Sequence, residues 1–583
     1  MKVALSKGIV VVLFCFGLFS INRIAAQDNK SIVAHKWWKE AVVYQIYPRS
    51  FKDSNGDGIG DIKGITSELD YLKNLGVDVV WLSPHFDSPN ADNGYDIRDY
   101  RKVMNEFGTM DDFDQMLAGL KKRGIKLIID LVVNHSSDEH NWFKESKSSK
   151  NNPYRDYYIW RPEKDGKAPS NWPSFFGGSA WEKAGPDGEY YLHYFAKKQP
   201  DLNWENPKLR EEVYAIMKFW LDKGVDGFRM DVIPLISKDQ NFPDMDATTL
   251  KHPEVVYASG PRLHEFLQEM NRNVLSKYDV MTVGEAFGVT PELTSQMTDE
   301  RTHEINLAFL FDVARIGRDN WHQNDWTLPQ LKSLFKTQSD LDQNHWPTVF
   351  LTNHDNPRSV SKFGDDSPKF RIPSAKLLAM LLLTQKGTAF MYQGEEIGMT
   401  NYPFTSFEQF DDVEIKGNYQ QVLASGITAE KYLTELNKSG RDHARTPMQW
   451  TAGNQAGFTA GNKSWLSVNP NFKEINVVSE LNNSNSIFHF YKQLLDIRRG
   501  NEALIYGDYL DTAPNHPDVF AYTRAGKNKT YLVVLNMSGK KVTFELDTKY
   551  KDYELVLTNQ SVKNKKTTKL DLEPWEARLY TSN

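Results

Sequence analysis

The chain has 583 residues, 40% of them apolar and 25% charged, with a net charge of −6 and one cysteine. That length and balance exclude a single small module, a disordered chain and a polytopic membrane protein, and the negative charge gives no bulk attraction for nucleic acid. Aromatic residues make up 13%, including 15 Trp and 26 Tyr, which suits a surface that stacks on ring-shaped ligands as well as a large core.

Lys2 and Lys7 precede an apolar run from Gly8 to Ile21, followed by Ala25, Ala26 and a polar stretch from Gln27. Positive flank, short apolar segment and small-residue exit predict a cleaved signal peptide over 1–26, because the run is too short to span a bilayer. Cleavage removes Cys15, so no disulfide is expected in the mature chain, and loss of Lys2, Lys7 and Arg23 makes it three charges more negative. The expected location is secreted or periplasmic, with no membrane association after cleavage.

Beyond residue 33 short β-rich runs alternate with helical stretches. The strands are predicted at Val42–Ile46, Val77–Leu82, Leu127–Leu131, Gly227–Met230, Val280–Val283, Ala308–Phe311, Val349–Leu351 and Ala389–Tyr392. Eight βα units argue a closed (β/α)8 TIM barrel over 33–134 and 205–500, with no Gly-rich phosphate loop after the first strand to suggest a doubly wound sheet. After the first strand, Asp53, Asn55, Asp57, Ile59 and Asp61 recur at every second position with Gly58 at the sixth, as in the first part of an EF-hand loop. The twelfth position is Gly64, so the bidentate Glu is missing and water must complete the shell. One structural Ca2+ is expected there, Mg2+ the runner-up; the competing reading is an Asx-rich turn without an ion.

The stretch 135–204 is rich in Trp, Tyr, Ser, Asn and Gly, lacks helical period, and is too long for a structureless loop. It reads as an inserted subdomain after strand three. A second insertion runs from about Thr400 to Trp450. From 501 to 583 strands follow one another without helices, predicting a C-terminal antiparallel β-sandwich.

Active sites of such barrels lie at the C-terminal ends of the strands. Four ends carry unusual polar residues: Asp130 to His135, Arg229 to Asp231, Gly284-Glu285, and Asn353-His354-Asp355. Asp231, Glu285 and Asp355 are expected to converge. Side chains two apart share a side of a strand, so Arg229 is expected to keep Asp231 ionised, while the apolar setting of Glu285 favours its protonated form. An ionised nucleophile beside a protonated acid is the requirement of retaining glycoside hydrolysis. For any one residue the competing reading is an ion pair at the barrel rim; four matching ends argue against it for the set.

These motifs resemble the four signature regions of the α-amylase superfamily of glycoside hydrolases, in family order, and Gln199-Pro-Asp-Leu-Asn-Trp204 resembles a fifth. The resemblance runs from about Val33 to the C-terminus. It implies Asp231 as nucleophile, Glu285 as acid/base and Asp355 as transition-state stabiliser, with His135, Arg229, His354 and Phe195 binding sugar. Asp92-Asn-Gly-Tyr95 and Arg445-Thr-Pro-Met-Gln-Trp450 resemble the oligosaccharide α-glucosidase branch. There the acid and the arginine pair to close the pocket around a terminal glucose, with the tyrosine stacked under it; the same branch binds one divalent ion in the loop after strand one.

Val232, directly after the nucleophile, resembles oligo-1,6-glucosidases, whereas α-1,4 relatives carry small residues or Thr there. The expected substrate is a small oligosaccharide with terminal α-1,6-linked glucose, with an α-1,4-glucosidase as alternative. Relatives that isomerise sucrose or make trehalose share most motifs, and Asp312 to Asp319 is similar to a charged loop of sucrose isomerases. The residues after Asp231 do not resemble theirs, so hydrolysis ranks first. A non-enzymatic reading, an inactive barrel scaffold like the amino-acid-transporter heavy chains, conflicts with the presence of all three carboxylates. A monomer is expected.

Overall fold

The computed structural model describes residues 35–184, 188–319, 322–341, 344–562 and 568–582, and the expected signal peptide with Cys15 lies outside them. Eight parallel strands form one sheet: β1 (Val42–Ile46), β2 (Val79–Leu82), β3 (Lys126–Leu131), β4 (Gly227–Met230), β5 (Met281–Glu285), β6 (Leu307–Phe309), β7 (Thr348–Val349) and β8 (Thr388–Tyr392). Their spatial order is β6-β5-β4-β3-β2-β1-β8-β7, which is chain order wrapped around a ring. Between β6 and β7 the Thr348 hydroxyl donates to the Ala308 carbonyl at 2.9 Å. The architecture is a (β/α)8 barrel.

Strand periodicity separates two cores. Val43, Val79, Trp81, Ile128, Met281, Val283, Leu307 and Phe309 pack together inside the barrel. Their neighbours Val42, Tyr44, Val80, Leu82, Leu127, Ile129, Phe228 and Met230 face the surrounding helices. Helix ends carry the expected signals. Thr109 and Asp112 form a capping box for the helix Met110–Lys122. The helix Pro207–Lys223 starts on an Asn206 cap with Pro at its first turn and stops at Gly224 in left-handed conformation. Gly227 opens β4 with φ +151°, and a Cβ there would stand 1.8 Å from the Met281 carbonyl, so only glycine lets β4 lie this close to β5.

The segment 135–204 carries short elements of its own and packs Trp172, Trp181 and Tyr194 against Leu235, Phe242 and Tyr257. It holds a three-stranded sheet of Trp160–Arg161, Trp181–Lys183 and Tyr190–Leu192. Contrary to the absence of helical period read from sequence, it also contains the helix Asn141–Ser148, which packs Phe143 against Tyr158, Trp160 and Tyr191. Too few turns repeat for a period to stand out. Its ends are tied together: His135 bridges Asp201, and Leu202 N–H donates to the Asn134 carbonyl at 2.9 Å.

At the C-terminus a five-stranded antiparallel sheet, Asp508–Asp511, Val519–Ala525, Thr530–Asn536, Ala577–Thr581 and Glu554–Thr558 in spatial order, faces a two-stranded one, Val542–Glu545 with Lys569–Leu572. Val519, Leu532, Val534, Phe544, Leu570 and Leu572 fill the space between them. The other face joins the main core through Phe520, Tyr522, Val533 and Leu535. Two buried arginines bind this junction through backbone carbonyls. Arg524 donates to Thr384, Leu504, Ile505 and Gly507, and Arg498 to Leu383, Leu504 and Gly387. Among the described residues no helix is long and apolar enough to cross a membrane.

Candidate active site

The inward parity of the strands builds the site. Val43 and Ile128 point into the barrel, so Gln45 and Asp130, two residues further on, do the same, and Glu285 follows Met281 and Val283. Phe228 and Met230 point outward, which turns Arg229 inward and leads Asp231 to the same rim. Arg229 lies opposite Asp130 in the ladder with β3 and opposite Val283 in that with β5.

One guanidinium organises three carboxylates. Arg229 Nη1 lies 2.6 Å from Asp130 and 2.7 Å from Asp231, and Nη2 lies 2.5 Å from Glu285. Asp130 also accepts from the Trp81 indole at 2.8 Å. Side-chain exposure rises from 0% at Asp130 and 1% at Arg229 to 8% at Asp231 and 13% at Glu285, so the first two form the floor and the others face the opening. The Asp231 and Glu285 carboxyls approach closely enough to share a hydrogen bond.

The electrostatics run against the expectation that Arg229 keeps Asp231 ionised. Burial pushes the pKa of Asp231 well up; Arg229 opposes this, and Glu285 and Asp130 reinforce it. Burial also raises Asp130. Arg229 does not serve Asp231 alone, because one positive charge is divided among three acids.

Asp355 closes the opposite side, with 26% of its side chain exposed. His354 Nε2 lies 3.1 Å from its Oδ2, Arg445 Nη2 2.6 Å and Arg441 Nη1 3.4 Å from its Oδ1. Burial alone would raise its pKa, but His354, Arg441 and Arg445 together hold it well below the usual carboxylate range.

The expected Asp92–Arg445 pair is not formed. Arg445 is held on the β7 side, its Nε donating to the His354 carbonyl at 3.1 Å and its Nη2 engaged by Asp355. Asp92 instead accepts from the Gln199 amide at 3.0 Å. Both arginines still act on Asp92 through space: burial pushes its pKa up to about 6, while Arg441 first and Arg445 second pull it down. Arg441, four residues before Arg445, pairs with Asp412 at 2.5 Å. Sequence reasoning singled out neither; the spacing of four, one helical turn, was the available signal.

Tyr95 lies flat against His354, ring centroids 5.4 Å apart at 7°, and its hydroxyl is 2.6 Å from His354 Nε2. Gln45 donates to the other ring nitrogen of His354 at 2.8 Å. His135 is 1% exposed, its Nε2 3.1 Å from the Tyr95 carbonyl, with the Phe195 ring 5.1 Å away. The structure thus groups Asp231, Glu285, Arg229, Tyr95, His354, Asp355 and Arg445 through direct contacts, and Asp92, His135 and Phe195 through Gln199 and Tyr95.

The loop after β1 is a tight turn. Asp53 accepts from the backbone N–H of Asn55, Gly56 and Gly58, each at 2.8 Å, and Asp57 from that of Ile59 at 2.8 Å. Asp61 caps the helix Ile62–Ser67 through Gly64 N–H at 2.7 Å and also takes both donors of Ser54. Asp53, Asn55, Asp57 and the Ile59 carbonyl offer oxygen atoms only, the donor type a hard divalent cation takes, while both Asp61 oxygens, expected as a further ligand, are taken by Gly64 and Ser54. Among the described residues no group of three His, Cys, Asp or Glu side chains converges as a ligand cluster, so an ion here must draw on the Asn55 amide and the Ile59 carbonyl.

A barrel with these acids on its rim is a glycoside hydrolase, and comparison with known proteins bears this out. Residues 45–507 match the Alpha amylase, catalytic domain family and residues 519–578 the Alpha-amylase SusG C-terminal domain; the chain belongs to the α-amylase superfamily, glycoside hydrolase family 13. It is 54% identical to oligo-1,6-glucosidase of Parageobacillus thermoglucosidasius, over 93% of this chain and 98% of that one. It is 52% identical to oligo-1,6-glucosidase of Halalkalibacterium halodurans, over 94% and 99%. Within the family the chain falls in the oligo-1,6-glucosidase branch. A solved variant of isomaltulose synthase from Erwinia rhapontici NX5, in complex with D-glucose, superposes with a TM-score of 0.92 at 51% identity, covering 94% of this chain and 99% of that one.

Proposed function

We propose that this α-glucosidase is secreted, retaining and exo-acting, and that it releases terminal α-1,6-linked glucose from isomalto-oligosaccharides and panose. The observation that carries the reading is the Arg229 fork, which holds Asp231 and Glu285 side by side on one guanidinium. In the first step the Asp231 carboxylate attacks the anomeric carbon while a proton on Glu285 passes to the leaving glycosidic oxygen. In the second, Glu285 takes a proton from water as that water displaces Asp231. Asp355, kept ionised by Arg441 and Arg445, faces the positive charge that develops on the ring. Asp92, with both arginines acting on it, supports a closed pocket for one terminal glucose.

The lean toward α-1,6 bonds rests on Val232 and on the named relatives. Val232 is 5% exposed and adopts left-handed backbone at φ 33°, uncommon for a β-branched residue. Its N–H donates to Glu285 at 3.2 Å. Val232→Thr is expected to raise maltose turnover relative to isomaltose; an unchanged ratio would leave Val232 a packing residue only. The second reading, sucrose isomerisation, is favoured by the likeness to isomaltulose synthase. Glucose release from isomaltose, panose, maltose, sucrose and trehalose side by side separates the two, with NMR of the first-formed anomer testing retention. Isomaltulose as the main product from sucrose, or internal cleavage of long polymers, would overturn the proposal.

The loop Asp53–Asp61 is proposed to hold one Ca2+, with Mg2+ as the alternative, as a clamp on the turn after β1. Calorimetry is expected to show Tm falling with EDTA and recovering with Ca2+; a Tm indifferent to both leaves an ion-free turn. Mass spectrometry of the secreted protein tests cleavage after Ala26.

A further inference from the structure

Lys238 lies in the loop after β4 with 1% of its side chain exposed. Its ammonium donates to Asn134 Oδ1 at 2.8 Å and to the Leu235 carbonyl at 2.7 Å, and stands 3.2 Å from Asp201 Oδ2. An ammonium has donors only, so it fixes which way the Asn134 amide faces: the oxygen turns to Lys238 and the NH2 group away from it. Asn134 Nδ2 lies 3.2 Å from His135 Nδ1. An NH2 group donates, so Nδ1 must be bare. Burial pushes the His135 pKa down to about 3, and the Lys238 charge acts in the same direction. The imidazole is therefore neutral, and its single proton sits on Nε2, 3.1 Å from the Tyr95 carbonyl. Gln199 Nε2 also approaches this nitrogen at 3.2 Å, with one of its two hydrogens given to Asp92; the Tyr95 carbonyl, which can only accept, agrees with Asn134 in placing the ring proton on Nε2.

We infer that Lys238 is a positioning residue: acting through the Asn134 amide, it holds His135 in the Nε2–H form, so that the imidazole presents a donor on the side facing Tyr95, Gln199 and Phe195. The three parts come from separate places in the chain, with Asn134 after β3, Lys238 after the strand that carries the nucleophile, and Asp201 at the end of the inserted subdomain. The inserted subdomain thereby reaches the sugar pocket through a proton position as well as through contacts. Reversing the Asn134 amide would set donor against donor at Lys238, so the orientation is not free.

The inference rests on the glycosidase reading of the pocket, and its test separates the two. In the full chain Lys238→Met and Asn134→Asp are each expected to raise KM for isomaltose about tenfold, the scale of one misdirected hydrogen bond, with kcat changed less. Asn134→Asp keeps a partner for Lys238, so it reports even where Lys238→Met does not fold. In a His135→Ala background neither change is expected to raise KM further, because both act through the missing ring. Equal effects in the two backgrounds, or an unchanged KM in the His135 enzyme, would overturn the inference. Histidine-labelled protein gives a second readout, independent of turnover: His135 Nδ1 is expected to titrate as the bare nitrogen in wild type and to gain proton character in Asn134→Asp. A wild-type chain inert on isomaltose refutes the glycosidase reading alone and leaves the tautomer measurement standing.

Discussion

At the scale of single residues the site works by shortage: one guanidinium serves three acids. Asp231→Asn or Glu285→Gln removes one member of the pair, and either is expected to cost at least ~1,000-fold in kcat; azide rescue with inverted product for the first, and with retained product for the second, assigns the two roles. Elsewhere the same physics acts on stability. Glu395, in the turn after β8, is pushed up to about 7, chiefly by burial, with Glu396 adding to the rise. A carboxyl raised in the folded state is protonated there while it ionises in the unfolded chain. Its contribution is therefore present at acid pH and is lost as pH rises from the ordinary carboxylate value through about 7. Glu395→Gln is expected to match wild type near pH 4 and to exceed it by up to about 3 kcal/mol at pH 8; thermal melts at both pH values check the sign.

At the scale of elements, the alternation of strand side chains made much of the barrel legible in the sequence. Apolar runs marked the eight strands, and the two-residue step from Arg229 to Asp231 put both on one side of β4. Two features did not show. The helix Asn141–Ser148 is too short for its period to rise above an aromatic-rich background. The destination of Arg445 depends on competition among carboxylates distant in the chain, which spacing cannot rank; Asp355 holds it, and Arg441 shares the task. The junction between the helix Arg371–Thr384 and the C-terminal sheet was equally hidden, since a buried arginine bonded to carbonyls leaves no charge partner in the sequence. Arg524→Met is expected to leave several buried carbonyls unsatisfied and to cost about 3 kcal/mol or more, read as a lower midpoint in guanidinium unfolding with isomaltose KM unchanged.

At the scale of the whole molecule, barrel, inserted subdomain and C-terminal sheets divide the labour. The barrel presents the acids, the subdomain supplies Phe195, Gln199 and Asp201 around the pocket, and the C-terminal sheets cover the flank of the barrel remote from the acids in sequence. The arginine junction has a consequence for biogenesis. The carbonyls of Thr384 and Ile505 wait for a guanidinium that the ribosome adds only at residue 524. A nascent chain halted after the last barrel helix thus holds unmet acceptors at its seam. That edge of the barrel therefore stays open until the final segment has been made.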